Sequence, residues 1–83
     1  MNRSSLKQLL DAEHVHPQSY DLDGGLPNER YCLEERASGW SVYYSERGSR
    51  TGERIFPSED EACRDLLDRV LRDTTTRISG SGR

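Results

Sequence analysis

The sequence predicts an α+β domain with a two-layer αβββα order, in which a three-stranded antiparallel sheet has two helices packed on one face. Residues 31–56 hold the only Trp and most of the aromatic side chains, and the segment around Trp40 alternates at the period of a β-strand. The segments before and after this region instead carry leucines at the three- and four-residue spacing of an amphipathic helix.

The first helix is predicted from Ser5 to about Glu13. Ser5 and Gln8 have the spacing of a capping box. The apolar residues that follow fall on one helical face: Leu6, Leu9 and Leu10. Pro17 cannot continue a helix and disfavours helical angles in the residue before it, so the helix should end before it. Residues 20–30 are then predicted to form a loop, because they contain Gly-Gly, Pro-Asn and paired Asp residues.

The central hairpin is predicted to pair residues 31–37 with residues 40–47. A two-residue turn at Ser38-Gly39 suits this pairing, since glycine supplies the positive φ that such turns need. Leu33 then lies opposite Tyr44. The apolar face of the hairpin holds Leu33, Trp40, Val42 and Tyr44. The other face holds Cys32, Glu34, Arg36, Ser41, Tyr43 and Ser45.

The register decides which aromatic residues are buried. Trp40 and Tyr44 are expected in the core, with both helices covering their face, whereas Tyr43 is expected to be exposed on an open face. A three-residue turn is the alternative, and it would place Leu33 opposite Tyr43 and mix the two faces.

After the hairpin, residues 48–52 are predicted to form a turn and residues 53–56 a third strand. Ser58 and Glu61 form a capping box that begins the second helix, where the first-turn carboxylates favour the helix dipole. Its apolar positions follow the pattern of a face laid on a sheet: Cys63, Leu66, Leu67, Val70 and Leu71. The chain is therefore expected to form one domain over residues 1–73, followed by a disordered tail over residues 74–83.

Composition and motifs argue against several classes of function. The net charge of −3 disfavours binding to phosphate backbones or anionic membranes and suits a basic partner. His14 and His16 lack a third metal ligand, and the Asp21-x-Asp23-Gly24 start of a calcium loop lacks its closing glutamate. No metal or cofactor is expected. Neither histidine lies near a nucleophile in the sketched fold, so no enzymatic activity is expected either.

Cellular location is indicated by what the sequence lacks. Cys32 and Cys63 have neither CxxC spacing nor neighbouring histidines, as expected of free thiols in a reducing cytosol. The first residues contain no apolar run long enough for a signal peptide, and no segment approaches the length of a membrane span. We therefore expect a cytoplasmic protein.

Three segments resemble a known group of proteins: residues 23–31 (DGGLPNERY), residues 39–48 (GWSVYYSERG) and residues 56–63 (FPSEDEAC). Together they look like small bacterial immunity proteins, which are encoded beside polymorphic toxins of the Rhs and contact-dependent inhibition type. The segment around Trp40 is the most distinctive of the three. The resemblance implies a cytoplasmic antidote that binds one cognate toxin domain and blocks it by occlusion, with no catalysis of its own.

A partner-binding surface can be predicted on this basis. An acidic surface that meets a basic active site, as in a nuclease, would speed association and fix orientation. Tyr43, beside Glu34 and Arg36 on the open sheet face, would supply the rigid aromatic contact that interface centres favour. Further candidates are Glu46, Arg47, Asp21, Asp23 and Glu29.

Two other classes of function remain open. The first is a small nucleic-acid-binding or regulatory domain that uses the basic residues Arg47, Arg50 and Arg54. The element order matches that of double-stranded RNA-binding domains, but residues 59–61 are acidic where those domains carry phosphate-gripping lysines. The second is a structural subunit that assembles through the open sheet face or an edge strand. The sequence does not fix the oligomeric state, and a monomer is slightly favoured.

Overall fold

Two helices and a four-stranded sheet form the two layers of the computed structural model, which describes residues 1–76. The α+β class and the number of helices match the sequence prediction. The elements in chain order are α1 (Arg3–Ala12), β1 (Tyr20–Asp21), β2 (Arg30–Arg36), β3 (Gly39–Glu46), β4 (Ser49–Phe56) and α2 (Glu59–Arg72), with 3₁₀ turns at Pro17–Ser19 and Thr74–Thr76.

The sheet is mixed rather than purely antiparallel. Strands β2, β3 and β4 form the predicted antiparallel meander, and β1 adds a fourth strand that runs parallel to β2 at the sheet edge. The predicted three-stranded sheet was therefore incomplete. Strand β1 is only two residues long, which is too short to show any periodicity in the sequence.

The pairing predicted for the central hairpin was wrong, but the predicted faces are confirmed. Leu33 lies opposite Val42 rather than Tyr44, and residues 37–38 form the turn. The pairing differs from the prediction by two residues, and an even shift leaves every side chain on its original face. Gly39 was predicted to supply the turn, but it lies at the start of β3 and is needed there for another reason. Its φ is +140°, and a Cβ at this position would collide with the carbonyl oxygen of Phe56 on β4.

Strand β4 is longer than predicted because the turn that joins it to β3 lies earlier in the chain than predicted. Arg47 and Gly48 both have positive φ, 52° and 78°, as in the type I′ turns that join hairpin strands. Gly52 lies inside β4 and marks a bulge, since the register shifts there and two residues of β4 oppose Tyr43. The glycine that indicated a turn in the sequence therefore bends the edge strand.

The two helices begin with caps that are visible in the sequence. Ser58 accepts a hydrogen bond from the amide of Glu61 over 3.2 Å, as predicted for α2. Helix α1 begins two residues earlier than predicted, because Asn2 is its cap. The Asn2 side chain accepts from the amide of Ser5, and the Ser5 hydroxyl accepts from the amide of Asn2, both over 2.9 Å. The predicted box of Ser5 and Gln8 was wrong for that reason.

The hydrophobic core lies between the helices and the face of the sheet that carries Leu33 and Val42. Its buried members are Leu6, Leu10, Val15, Tyr20, Leu33, Val42, Ala62, Cys63, Leu66 and Val70. Trp40 packs against this core at its margin, with the guanidinium of Arg3 lying 5.4 Å from the centre of its ring. The predicted core face of α2 is confirmed, whereas Leu9 of α1 remains 41% exposed.

The chain after α2 turns back onto the domain. Residue 74 was predicted to begin a disordered tail, but Thr74–Thr76 form a 3₁₀ turn. The carbonyl of Thr76 accepts a hydrogen bond from the amide of His16 over 2.7 Å, and its hydroxyl donates to the carbonyl of Val70 over 2.9 Å. The predicted tail from residue 77 onward lies outside the described residues.

Candidate partner-binding surface

Tyr43 is fully buried, which contradicts the predicted exposed position on an open sheet face. The loop between β1 and β2 folds back over that face. Its carbonyl oxygens accept hydrogen bonds from β3: the Tyr43 hydroxyl donates to Gly25 over 2.6 Å and the Ser45 hydroxyl to Pro27 over 2.5 Å. The side chain of Asn28 also accepts from the amide of Arg47 over 3.1 Å. We call residues 22–29 the covering loop.

Gly24 allows the covering loop to approach the sheet closely. Its φ is +80°, and a Cβ at this position would lie 2.8 Å from Cγ of Glu34. A larger residue would therefore carry both backbone strain and a clash. The diglycine, which the sequence placed in an ordinary loop, is thus part of how the second face of the sheet is closed.

Four side chains of alternating charge surround the buried tyrosine, and we call them the charge cluster: Glu34, Arg36, Arg50 and Glu53. Arg50 Nη1 lies 2.8 Å from the Glu34 carboxylate and 3.2 Å from that of Glu53. Arg36 Nη2 lies 2.9 Å from Glu53 and 3.4 Å from Glu34. The guanidinium of Arg50 also lies 4.3 Å from the centre of the Tyr43 ring, in a cation–π contact.

The charge cluster is internally neutral and partly shielded from water. Its side chains are 27–37% exposed. The hydrogen bond from Arg50 holds the pKa of Glu34 below its usual value, and a 2.6 Å hydrogen bond from the Ser41 hydroxyl does the same for Glu53. Glu34 and Arg36, predicted to contact a partner, therefore compensate charges within the sheet and leave little net charge for another molecule.

Asp21 and Asp23, two further predicted contacts, lie on the covering side near α1. Asp21 is half-buried in β1, and its carboxylate accepts from the amide of Asp23 over 2.9 Å. The exposed Asp23 carboxylate lies 3.5 Å from the guanidinium of Arg3. Asp23 and Arg3 help to line an open groove of about 470 Å³ that also carries Lys7 and Asp11. Its acidic and basic side chains alternate, so it has no clear preference for one sign of charge.

A second and more polar cavity, of about 280 Å³, lies where β2, β3 and the turn after α2 meet. We call it the Tyr44 cleft. Its lining residues are Ser19, Glu29, Tyr31, Tyr44, Asp73, Thr75 and Thr76. Tyr31 and Tyr44 are directly opposite one another in the sheet, and their ring centres are 4.8 Å apart with the planes at 58°. Tyr44 was predicted in the core but is half-buried and forms a wall of this cleft.

Carboxylates surround the Tyr44 ring. Burial raises the pKa of Tyr44, and the charges of Glu29, Glu46 and Asp73 raise it further. Among the described residues, Glu29 and Glu46 form no ion pair, and no lysine, arginine or histidine lines the cleft. Of the predicted contacts, Glu29 lines the cleft, and Glu46 lies close enough to Tyr44 to raise its pKa without lining the cleft. Arg47 follows Glu46 in the chain and is exposed.

The sequence did not indicate Tyr31, Asp73 or Thr75 as site residues. The Tyr31 hydroxyl donates to Asp73 Oδ2 over 3.0 Å, and Thr75 donates to Asp73 Oδ1 over 2.6 Å. The second of these hydrogen bonds involves the turn that was assigned to a tail. The correct hairpin register would have placed Tyr31 beside Tyr44, and that pairing is the one signal that could have pointed to the cleft.

Neither a metal site nor a reactive thiol is indicated within residues 1–76. This part of the chain holds no group of three or more His, Cys, Asp or Glu residues placed to bind a metal ion. His16 instead caps a 3₁₀ turn, with its Nδ1 accepting from the amide of Gln18 over 3.2 Å. Cys32 and Cys63 are free and buried, and burial raises the pKa of each thiol to about 11.

Comparisons of the whole chain with protein-family models, curated proteins and solved structures found no match. Over residues 1–76 the structure contains no helix that is both long enough and apolar enough to cross a membrane.

Replacing Tyr43 with Phe should loosen the covering loop. The substitution leaves the carbonyl of Gly25 without its donor, and we expect a loss of about 1–2 kcal/mol in the free energy of unfolding. Amide hydrogen exchange should become faster in residues 22–29. Tyr20→Phe is the matched control, because the buried Tyr20 hydroxyl has no hydrogen-bond partner within the described residues 1–76. Equal effects of the two substitutions on stability and loop exchange would contradict the assigned role of Tyr43.

Stability should also decline in alkali. Burial raises the pKa of Tyr43 and of Tyr31 to about 12, above their ordinary value of 10, so the unfolded chain releases these protons first as the pH rises. The free energy of unfolding should therefore fall between pH 10 and 12, by about 2 kcal/mol for Tyr43 and by less for the more exposed Tyr31. Urea denaturation at a series of pH values measures this, and Tyr43→Phe should flatten the decline. A decline of unchanged steepness in Tyr43→Phe would show that Tyr43 does not contribute.

Proposed function

We propose that this protein is a cytoplasmic immunity protein, which binds one cognate toxin domain and inhibits it by occlusion without catalysis of its own. The observation that carries the proposal is the group of carboxylates at the Tyr44 cleft, where Glu29 and Glu46 are free of ion pairs within the described residues. The resemblance of the three sequence segments to immunity proteins supports the same function.

The charge distribution suits a basic partner. Carboxylates concentrated at one end of the sheet attract a positively charged surface and orient it during encounter, on a chain whose net charge is −3. The paired rings of Tyr31 and Tyr44 supply rigid aromatic surface at the centre of this end. Tyr44 therefore replaces the buried Tyr43 as the aromatic contact of the proposed interface, together with Glu29, Glu46 and Arg47.

The geometry gives less support to nucleic-acid binding. Of the three basic residues considered for it, Arg50 is paired within the charge cluster, and Arg54 lies 3.8 Å from Asp65 and over the ring of Phe56. Arg50 is therefore not free to contact phosphates, which reduces the basic patch considered for nucleic acid.

A structural subunit that assembles through β4 is also less well supported. Strand β4 is an edge of the sheet, but it carries charged side chains and a bulge, both of which discourage pairing with another strand. We therefore propose a monomer in the absence of the partner.

Co-expression tests the proposed function. The full chain is expressed with the C-terminal domain encoded by the gene immediately upstream, with an affinity tag on one of the two proteins. We expect the two to elute together as a stoichiometric complex, and we expect the chain to restore growth to cells that express the toxin domain alone. Separate elution together with no restoration of growth would contradict the immunity function.

A further inference from the structure

Four of the five hydroxyl groups that line the Tyr44 cleft donate hydrogen bonds within the protein, and the fifth belongs to Tyr44. Tyr31 and Thr75 donate to the two carboxylate oxygens of Asp73, over 3.0 and 2.6 Å. The Thr76 hydroxyl shares its hydrogen between the carbonyls of Val70 and Asp73, over 2.9 and 2.8 Å, and Ser19 donates to the carbonyl of Thr76 over 3.4 Å. Each of these hydroxyls has one hydrogen, so its remaining capacity is to accept.

The cleft therefore presents more acceptors than donors to a ligand. Carboxylate oxygens of Glu29 and Asp73 and the lone pairs of the hydroxyl groups remain, and none of its lining residues within residues 1–76 is cationic. An anion placed here would meet negative charge and find few donors. A ligand that fits must bring both N–H donors and positive charge.

The walls also favour a flat cation over a compact one. Tyr31 and Tyr44 offer ring surface beside the carboxylates, and a guanidinium group both stacks on aromatic rings and forms forked hydrogen bonds with carboxylates. The volume of about 280 Å³ lies just below the range of small-molecule sites, roughly 300–1,000 Å³. A single side chain suits it better than a large metabolite.

We propose that the Tyr44 cleft receives an arginine side chain of the partner protein. Tyr44 and Tyr31 contact its guanidinium plane, and Glu29 and Asp73 accept its hydrogen bonds. This inference rests on the proposed function for the identity of the partner as a toxin domain. The preference of the cleft for a guanidinium follows from its own donors, acceptors and rings.

A titration of the free protein tests the chemistry of the cleft directly. The full ¹⁵N-labelled chain is titrated by NMR with N-acetyl-arginine N-methylamide, and separately with the citrulline analogue, which has nearly the same shape but no charge. We expect saturable shifts in the amides of Glu29, Tyr44, Asp73 and Thr75 with the arginine probe alone. Equal shifts with both probes, or shifts spread evenly over the surface, would overturn the proposal.

A matched pair of variants tests the role of Glu29. Glu29→Gln removes one charge at the cleft and should weaken binding of the arginine probe about threefold or more. Glu35→Gln removes one charge from the exposed opposite end of β2 and should leave binding unchanged. Equal affinities in the two variants would contradict the assigned site.

The affinity of the two variants for the toxin domain distinguishes a failure of this inference from a failure of the proposed function. If the complex forms and Glu29→Gln weakens it while Glu35→Gln does not, both are supported. If it forms with equal affinity for both variants, the cleft is overturned and the immunity function stands. If no complex forms but the arginine probe binds at the cleft, the immunity function is overturned and the preference of the cleft for guanidinium stands.

Discussion

The hydrogen bond from the Tyr43 hydroxyl to the carbonyl of Gly25 is the contact on which the arrangement of the functional surface depends. It fastens the covering loop across the face of the sheet opposite the helices, and the Ser45 hydroxyl adds a second contact of the same kind. The side chains of Tyr43 and Ser45 are fully buried, so their hydroxyls need acceptors, and the loop supplies carbonyl oxygens where it crosses β3. The sheet is consequently covered on both faces, although the hydrophobic core lies on only one of them.

This closure determines which charges can act outside the domain. The carboxylates near Tyr43 are balanced by Arg36 and Arg50, so the covered face has little net charge to offer. Glu29 and Glu46 lie beyond the loop contacts at the end of the sheet, near Tyr44, and form no ion pair within residues 1–76. The surface that we propose for a basic partner therefore lies at the end of the sheet rather than on its face, and the proposed aromatic contact is Tyr44 rather than Tyr43.

Local patterns in the sequence predicted local structure well. The cap at Ser58 and the face composition of the hairpin were both correct, because a cap depends on residues three apart and a face depends only on alternation. The burial of Tyr43 depends on a contact with Gly25, 18 residues away, and the cleft depends on a contact between Tyr31 and Asp73, 42 residues apart. Neither contact produces a periodic pattern in the sequence. Of the residues in the candidate site, the sequence could therefore indicate only Glu29, Glu46 and Arg47.

The most direct test of the account is a nuclear Overhauser spectrum of the free protein in solution. It should show cross-peaks between the ring protons of Tyr43 and the α-protons of Gly25, together with a slowly exchanging Tyr43 hydroxyl. That result would establish that the covering loop closes the second face and leaves the Tyr44 cleft as the exposed aromatic site. A Tyr43 ring without cross-peaks to residues 22–29, and with a hydroxyl in rapid exchange with water, would contradict the account and return Tyr43 to the exposed surface.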